Sequence, residues 1–219
     1  MRITWCVAWL LLATGCGGEA VRTPSGSSTQ LLRPEEFQEP APELFRASFE
    51  TTQGDFTVEV HREWAPYGAD RFYNLVRAGY YDDTRFFRVV VDFVASWGIH
   101  GHPQISAAWE RRSILDDEAK VPNIRGRLSF AHHGPNTRTT TVFVNLRDNP
   151  SMDESGFAPF AEVVEGMDVV GRLHAGYGDA PPRGDGPLQA HVRTYGNAYL
   201  DRDFPDLDSV LRATIEPEG

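Results

Sequence analysis

Arg85 to Phe93 reads RFFRVVVDF, and six of its nine residues are Phe or Val. A run this dense in β-branched and aromatic side chains is expected to form a buried or half-buried strand. Period-two alternation predicts Phe86, Arg88 and Val90 on one face, and Phe87, Val89 and Val91 on the other. Arg88 is then the residue to explain, because an unpaired charge in dry protein is very costly. Either its head reaches the rim or a carboxylate, or it stands at the wall of an apolar pocket and offers its rigid fork of donors to a substrate.

Outward from this run, short apolar stretches alternate with turn signals. Leu44 to Val60 is expected to form a hairpin around Thr52-Gln53-Gly54-Asp55. Pro66 opens a helix in which Ala69, Phe72, Tyr73 and Val76 recur at helical spacing, and Gly79 stops it. The strand carrying Arg88 is expected to run to Trp97-Gly98. His100 to Asn123 reads as irregular, with a helix-like patch ILDDEAK. Strands are expected at Gly126–Ala131, Thr141–Leu146 and Phe157–Val164, and a second short helix over Glu165–Leu173. Many short strands with two helices predict a mainly β, closed or nearly closed barrel.

The N-terminal residues read differently. Met1–Gly15 has the positive Arg2 and an apolar run too short to span a bilayer, as expected of a secretory signal. LLATGC followed by GGEA resembles a bacterial lipoprotein cleavage site, so Cys16 is expected to be lipidated. Cys6 is the only other cysteine and leaves with the signal, so no intramolecular disulfide is expected. Residues 16–43, rich in Gly, Ser, Thr, Pro and Glu, are expected to be a flexible tether, and 44–219 a single domain. The exported chain would face the periplasm or cell exterior, held to the envelope through its lipid alone. A formal charge of −10 from 31 acidic and 21 basic residues argues against nucleic acid and anionic lipid headgroups as partners.

RFFRVV, then GRLSFAHHGPNTRTTTVFVNL, then GFAPFAEVVEGMDVV, with the earlier FETTQGDFTVEV and the later AGYGDAPPRGDGP, resemble the cyclophilin family of peptidyl-prolyl isomerases in order and spacing, over Leu44 to about Ile215. The resemblance implies a closed eight-stranded antiparallel barrel capped by two helices, with a peptide groove on its outer face. It implies isomerisation of X-Pro bonds in proline-containing segments of other proteins, by a monomer that needs no cofactor and no metal. By the same resemblance Arg88 is the catalytic donor. Phe93, Val94, Phe143, Met152 and Phe157 would line the proline slot, and Ala131 and His132 would present backbone groups. Two positions depart from the pattern, since Ser96 and Thr141 stand where the family usually has Gln. Those amides orient the Arg and bind substrate backbone, so reduced activity is expected, or a proline-binding module with little turnover. Val94 also replaces a more usual Met, Phe157 a His, and Ser151 a Trp.

Other chemistries are weaker. His100, His102, His132 and His133 suggest a metal, but HxH and HH pairs on loops are usually solvated. Asp82-Asp83, Asp116-Asp117-Glu118 and Asp153-Glu154 lie in turn-like segments and are expected to be solvated. A Ser129–His132 pair has no visible third member.

Overall fold

A computed structural model describes residues 29–217. The expected signal and the lipidation site Cys16 lie outside the described residues. Two 3-10 turns, Gln30–Leu32 and Pro34–Glu36, come first. β1 (Leu44–Thr51) and β2 (Gly54–His61) follow as the expected hairpin, in unbroken register from Leu44 opposite His61 to Thr51 opposite Gly54. Next come α1 (Pro66–Arg77), β3 (Arg88–Val90), β4 (Val94–Trp97) and α2 (Pro103–Glu110). β5 (Arg127–Phe130), β6 (Val142–Asn145), α3 (Pro150–Glu154), β7 (Pro159–Glu165) and α4 (Met167–Gly171) continue the chain. It ends in α5 (Gln189–Tyr195), α6 (Asn197–Asp203) and β8 (Val210–Ile215). α1, α2 and α3 each open on a proline, whose missing N–H would have no helical partner there.

All eight strands pair antiparallel in the order β3-β4-β6-β5-β7-β2-β1-β8. The expectation of a closed barrel is corrected: β3 and β8 are the two edges of an open half-barrel. What joins the edges is the isolated bridge Arg85–Ser209, with backbone bonds from Asp83 N–H and Phe86 N–H to the carbonyls of Val210 and Asp208. The cause is a break in the chain ahead of β3. Strict alternation fails between Phe86 and Phe87, because Phe86 and Val89 both enter the main core whereas Phe87 enters a second cluster. The strand proper is therefore three residues long and its ladder stops short of β8. A turn at Val91–Phe93, with Phe93 N–H donating to Val90 O at 3.0 Å, folds the expected single strand into a β3–β4 hairpin.

The main core is aromatic. Phe49 stacks on Phe56 at 4.9 Å, Trp97 meets Phe49 edge-on at 5.8 Å, and Phe72 of α1 closes on Phe160 at 5.0 Å. Such pairs add to the burial of their large apolar surfaces. The capping by two helices is also corrected, since six α-helices are present among the described residues. α5 and α6 bury Val192, Tyr199 and Leu200 against Phe87 and Ile99, so Phe87 points out of the main core without meeting water. ILDDEAK is not helical; Ile114 instead forms a bridge with Arg138. The packed chain begins ahead of residue 44, for Leu31 is buried and its carbonyl accepts a 2.8 Å bond from Trp109 Nε1.

Candidate active site

Strand register assembles the site. Arg88 of β3 pairs with Ser96 of β4, and Ser96 with Phe143 of β6, so the two arms of one hairpin and a strand far downstream form one cross-strand row. Beside that row Val94, Phe143 and Met152 make a separate buried apolar cluster, with Phe93, Ala131 and Phe157 packed against it. Phe143 and Phe157 meet edge to face at 5.4 Å, and the His132 ring lies over Phe157 at 4.2 Å. The result is a groove of about 210 Å³ whose walls include Arg88, Val94, Ser96, Ala131, His132, Thr141, Phe143, Met152 and Phe157. Phe93 completes it from below the guanidinium, with its ring centre 5.4 Å from Arg88 Cζ. A larger concavity of about 510 Å³ lies elsewhere, around Leu44, Phe45 and Tyr73. Arg46 and Glu59 in its lining pair with each other at 3.0 Å.

Both readings of Arg88 hold together. It stands at the groove wall, and it is paired: Nε and one terminal nitrogen donate to the two carboxylate oxygens of Asp179 at 2.9 and 3.0 Å. No sequence signal marks Asp179, which sits 91 residues downstream in a Gly- and Pro-rich loop. The hydrogen bond from Arg88 holds its carboxyl below the ordinary carboxylate range despite partial burial. Burial lowers the pKa of His132, which keeps a neutral ring against Phe157. Ala131 N–H already donates to Thr141 O at 2.9 Å, so the expectation that Ala131 offers its backbone narrows to its carbonyl.

A buried amide network fixes the walls. Asn149 Nδ2 donates to Phe93 O at 3.0 Å and to Asn145 Oδ1 at 2.8 Å. Asn123 Nδ2 donates to Phe157 O at 2.8 Å, and its Oδ1 accepts from Ser129 Oγ at 2.9 Å and Asn145 Nδ2 at 3.2 Å. Ser129 is thus fully buried and bonded to Asn123, which removes it as a nucleophile for His132. Asp117 and Asp153, expected to be solvated, are also committed. Asp117 accepts from the Tyr67 and Gly68 amides at the start of α1 and from Arg138, while Asp153 accepts from Asn123 N–H at 2.7 Å. Of the histidines, His100 accepts from His102 N–H at 2.9 Å and packs on Tyr80, away from His132 on Phe157. Among the described residues, three metal-ligating side chains come within 4.8 Å of one another at Glu59, His61 and Glu162.

Chemically, an apolar slot with a fixed cationic donor at its wall can bind an apolar ring and donate to an atom of its amide. Residues 46–193 match the family model described as cyclophilin type peptidyl-prolyl cis-trans isomerase/CLD. The chain is 31% identical over 136 residues to peptidyl-prolyl cis-trans isomerase B of Escherichia coli, covering 58% of this chain and 82% of that protein. It is 33% identical over 153 residues to the Schizosaccharomyces pombe isomerase ppi1, covering 67% and 96%. A solved cyclophilin-type isomerase of Cryptosporidium parvum superposes with a TM-score of 0.59 at 19% identity, over 80% of this chain and 99% of that one. That last likeness speaks to fold alone.

Proposed function

This chain belongs to the cyclophilin-type peptidyl-prolyl cis-trans isomerases, and from that premise we propose that it isomerises X-Pro bonds of extracytoplasmic proteins, at a reduced rate, from a lipid anchor at Cys16. Rotation about the prolyl amide faces a barrier of about 18–20 kcal/mol, because the nitrogen lone pair is delocalised into the carbonyl. No bond is broken, so the enzyme need only bind the twisted amide more tightly than either planar form. In the proposed pose the proline ring enters the slot of Val94, Phe143, Met152 and Phe157. Ala131 O and the His132 backbone hold the residues ahead of it, and Arg88 donates to the nitrogen lone pair that twisting localises. The observation that carries this reading is the cross-strand row Arg88–Ser96–Phe143, which puts the guanidinium and the apolar slot at one groove.

One feature supports a reduced rate. Thr141, at the groove wall, is too short to reach peptide backbone as a Gln would, and one absent hydrogen bond is worth about 1 kcal/mol, or roughly tenfold or less in rate. The domain would serve as a monomer, its client a proline-containing segment, and its tether would end where Leu31 docks.

The test is the cis–trans exchange rate of a short X-Pro peptide, with the wild type and Arg88→Ala side by side. The wild type should accelerate exchange, and Arg88→Ala should remove roughly a hundredfold of kcat/KM, as expected for one preorganised donor. If the wild type binds the peptide but leaves its exchange at the uncatalysed rate, the protein is a proline-binding module. For the anchor, Cys16→Ala should move the expressed protein from the membrane to the soluble fraction.

A further inference from the structure

We infer that Asp179 is the positioning residue for Arg88, taking over from the far side of the groove the orienting task that Ser96 is too short to perform; this rests on the isomerase reading above. Ser96 faces Arg88 across the β3–β4 pair, yet both hydrogen bonds of the guanidinium go to Asp179.

The geometry favours orientation over blockade. A guanidinium has five N–H donors in one plane. The contact through Nε and one terminal nitrogen uses one edge, which leaves three N–H groups, two of them on the other terminal nitrogen, for a substrate. With the Phe93 ring on one face, the bidentate contact removes the rotation that a lone Arg stem retains. Asp179 is itself well held. Its Oδ1 accepts from Ala180 N–H at 2.8 Å and its carbonyl from Gly186 N–H at 2.9 Å. The Nε of Arg183 stands 3.5 Å from Oδ2. A Cβ at Gly184 would collide with the Asp179 backbone, so the loop closes on this aspartate only with glycine there. Arg88 and Asp179 are both largely shielded from water, with side-chain exposures of 20% and 15%, and such pairs hold geometry better than exposed ones.

The test uses the full chain and four proteins: wild type, Asp179→Ala, Ser96→Gln, and the double variant. Asp179→Ala should lower kcat about tenfold with KM changed less than about twofold, since the slot is untouched. Ser96→Gln, itself a change in the groove wall, sets the baseline against which the double variant is read. In the double variant the Gln amide should restore most of the lost kcat, which a merely structural role for Asp179 would not allow. A rise in kcat for Asp179→Ala would mean that the carboxylate inhibits Arg88, and would overturn the inference. So would a failure of Ser96→Gln to rescue a folded Asp179→Ala. An independent readout needs no turnover: the Arg88 Nε–H resonance, assigned by its loss in Arg88→Lys, should exchange slowly with solvent in the wild type and broaden in Asp179→Ala. If that signature holds while no protein accelerates exchange, the positioning stands and the isomerase reading fails. An unchanged resonance in Asp179→Ala sinks the positioning whatever the activity.

Discussion

In the proposed mechanism Arg88 meets two opposed demands with one side chain. Burial requires a counter-charge, whereas catalysis requires unused donors, and the planar fork of guanidinium satisfies both by presenting different edges. Lysine offers a point charge without that division, so Arg88→Lys should keep the fold and lose most of the activity, read as an unchanged melting temperature with a kcat/KM reduced at least about tenfold. A second residue sets a pH limit. His100 is partly buried against Tyr80, and burial, with the nearby His102, pushes its pKa down to about 4 from an ordinary 6.5. Above pH 6.5 both folded and unfolded chains carry it neutral, and stability does not depend on it. As pH falls through 6.5 towards 4 the unfolded chain binds a proton that the folded one refuses, so stability declines by on the order of 3 kcal/mol. Denaturant melts at pH 7 and 4.5 should show this loss in the wild type and a smaller one in His100→Gln.

At the scale of elements, the groove depends on residues that no catalytic pattern marks. Asn123 and Asn149 tie the Phe157 and Phe93 backbones to the buried ends of β5 and β6. Asn123→Ala strands Ser129 Oγ, the Phe157 carbonyl and part of Asp153 without their partner. It should cost about 2–4 kcal/mol, because buried polar groups left unpaired carry the full desolvation penalty. The loosened wall should raise KM for an X-Pro peptide more than it lowers kcat, which steady-state kinetics would separate. This network was not legible in advance, since an Asn in a loop reads as a turn residue until its partners are known. The strands were legible where they alternate, as in β1 and β2, with Phe45, Ala47 and Phe49 facing Phe56, Val58 and Val60 inside. The phase break at Phe86–Phe87 was not, because the second cluster that accepts Phe87 comes from α5 and α6, more than a hundred residues later. The groove residues were found through the family resemblance, and nine of them line one cavity with Phe93 beneath. Asp179 escaped because spacing along the chain holds no record of a contact made across 91 residues.

At the scale of the whole molecule, the segment ahead of β1 behaves as part of the domain. Leu31 and Ala41 are buried, Phe37 lies 5.9 Å from the Trp109 ring, and the Trp109 indole donates to Leu31 O. Ala41 N–H donates to Asp70 Oδ1 at 2.9 Å, and Asn74 of α1 exchanges hydrogen bonds with the Glu39 backbone at 2.7 and 3.2 Å. These contacts clamp α1 and α2 from outside, on residues that do not line the groove. A chain begun at Leu44 would expose that surface, take the Leu31 acceptor from the Trp109 indole and take the Glu39 backbone partners from Asn74. Burial of Leu31 and Phe37 alone is worth about 3 kcal/mol, and in a domain of this size each kcal/mol moves the melting temperature by about 2–4 °C. The chain from Leu44 should therefore melt about 6–12 °C below one begun at Thr29, while kcat/KM at 25 °C stays within about twofold. Equal melting temperatures would show that the segment only rests on the surface. A lower kcat/KM at a temperature where both chains are folded would show that the clamp reaches the groove through α2 and the β4 strand ahead of it.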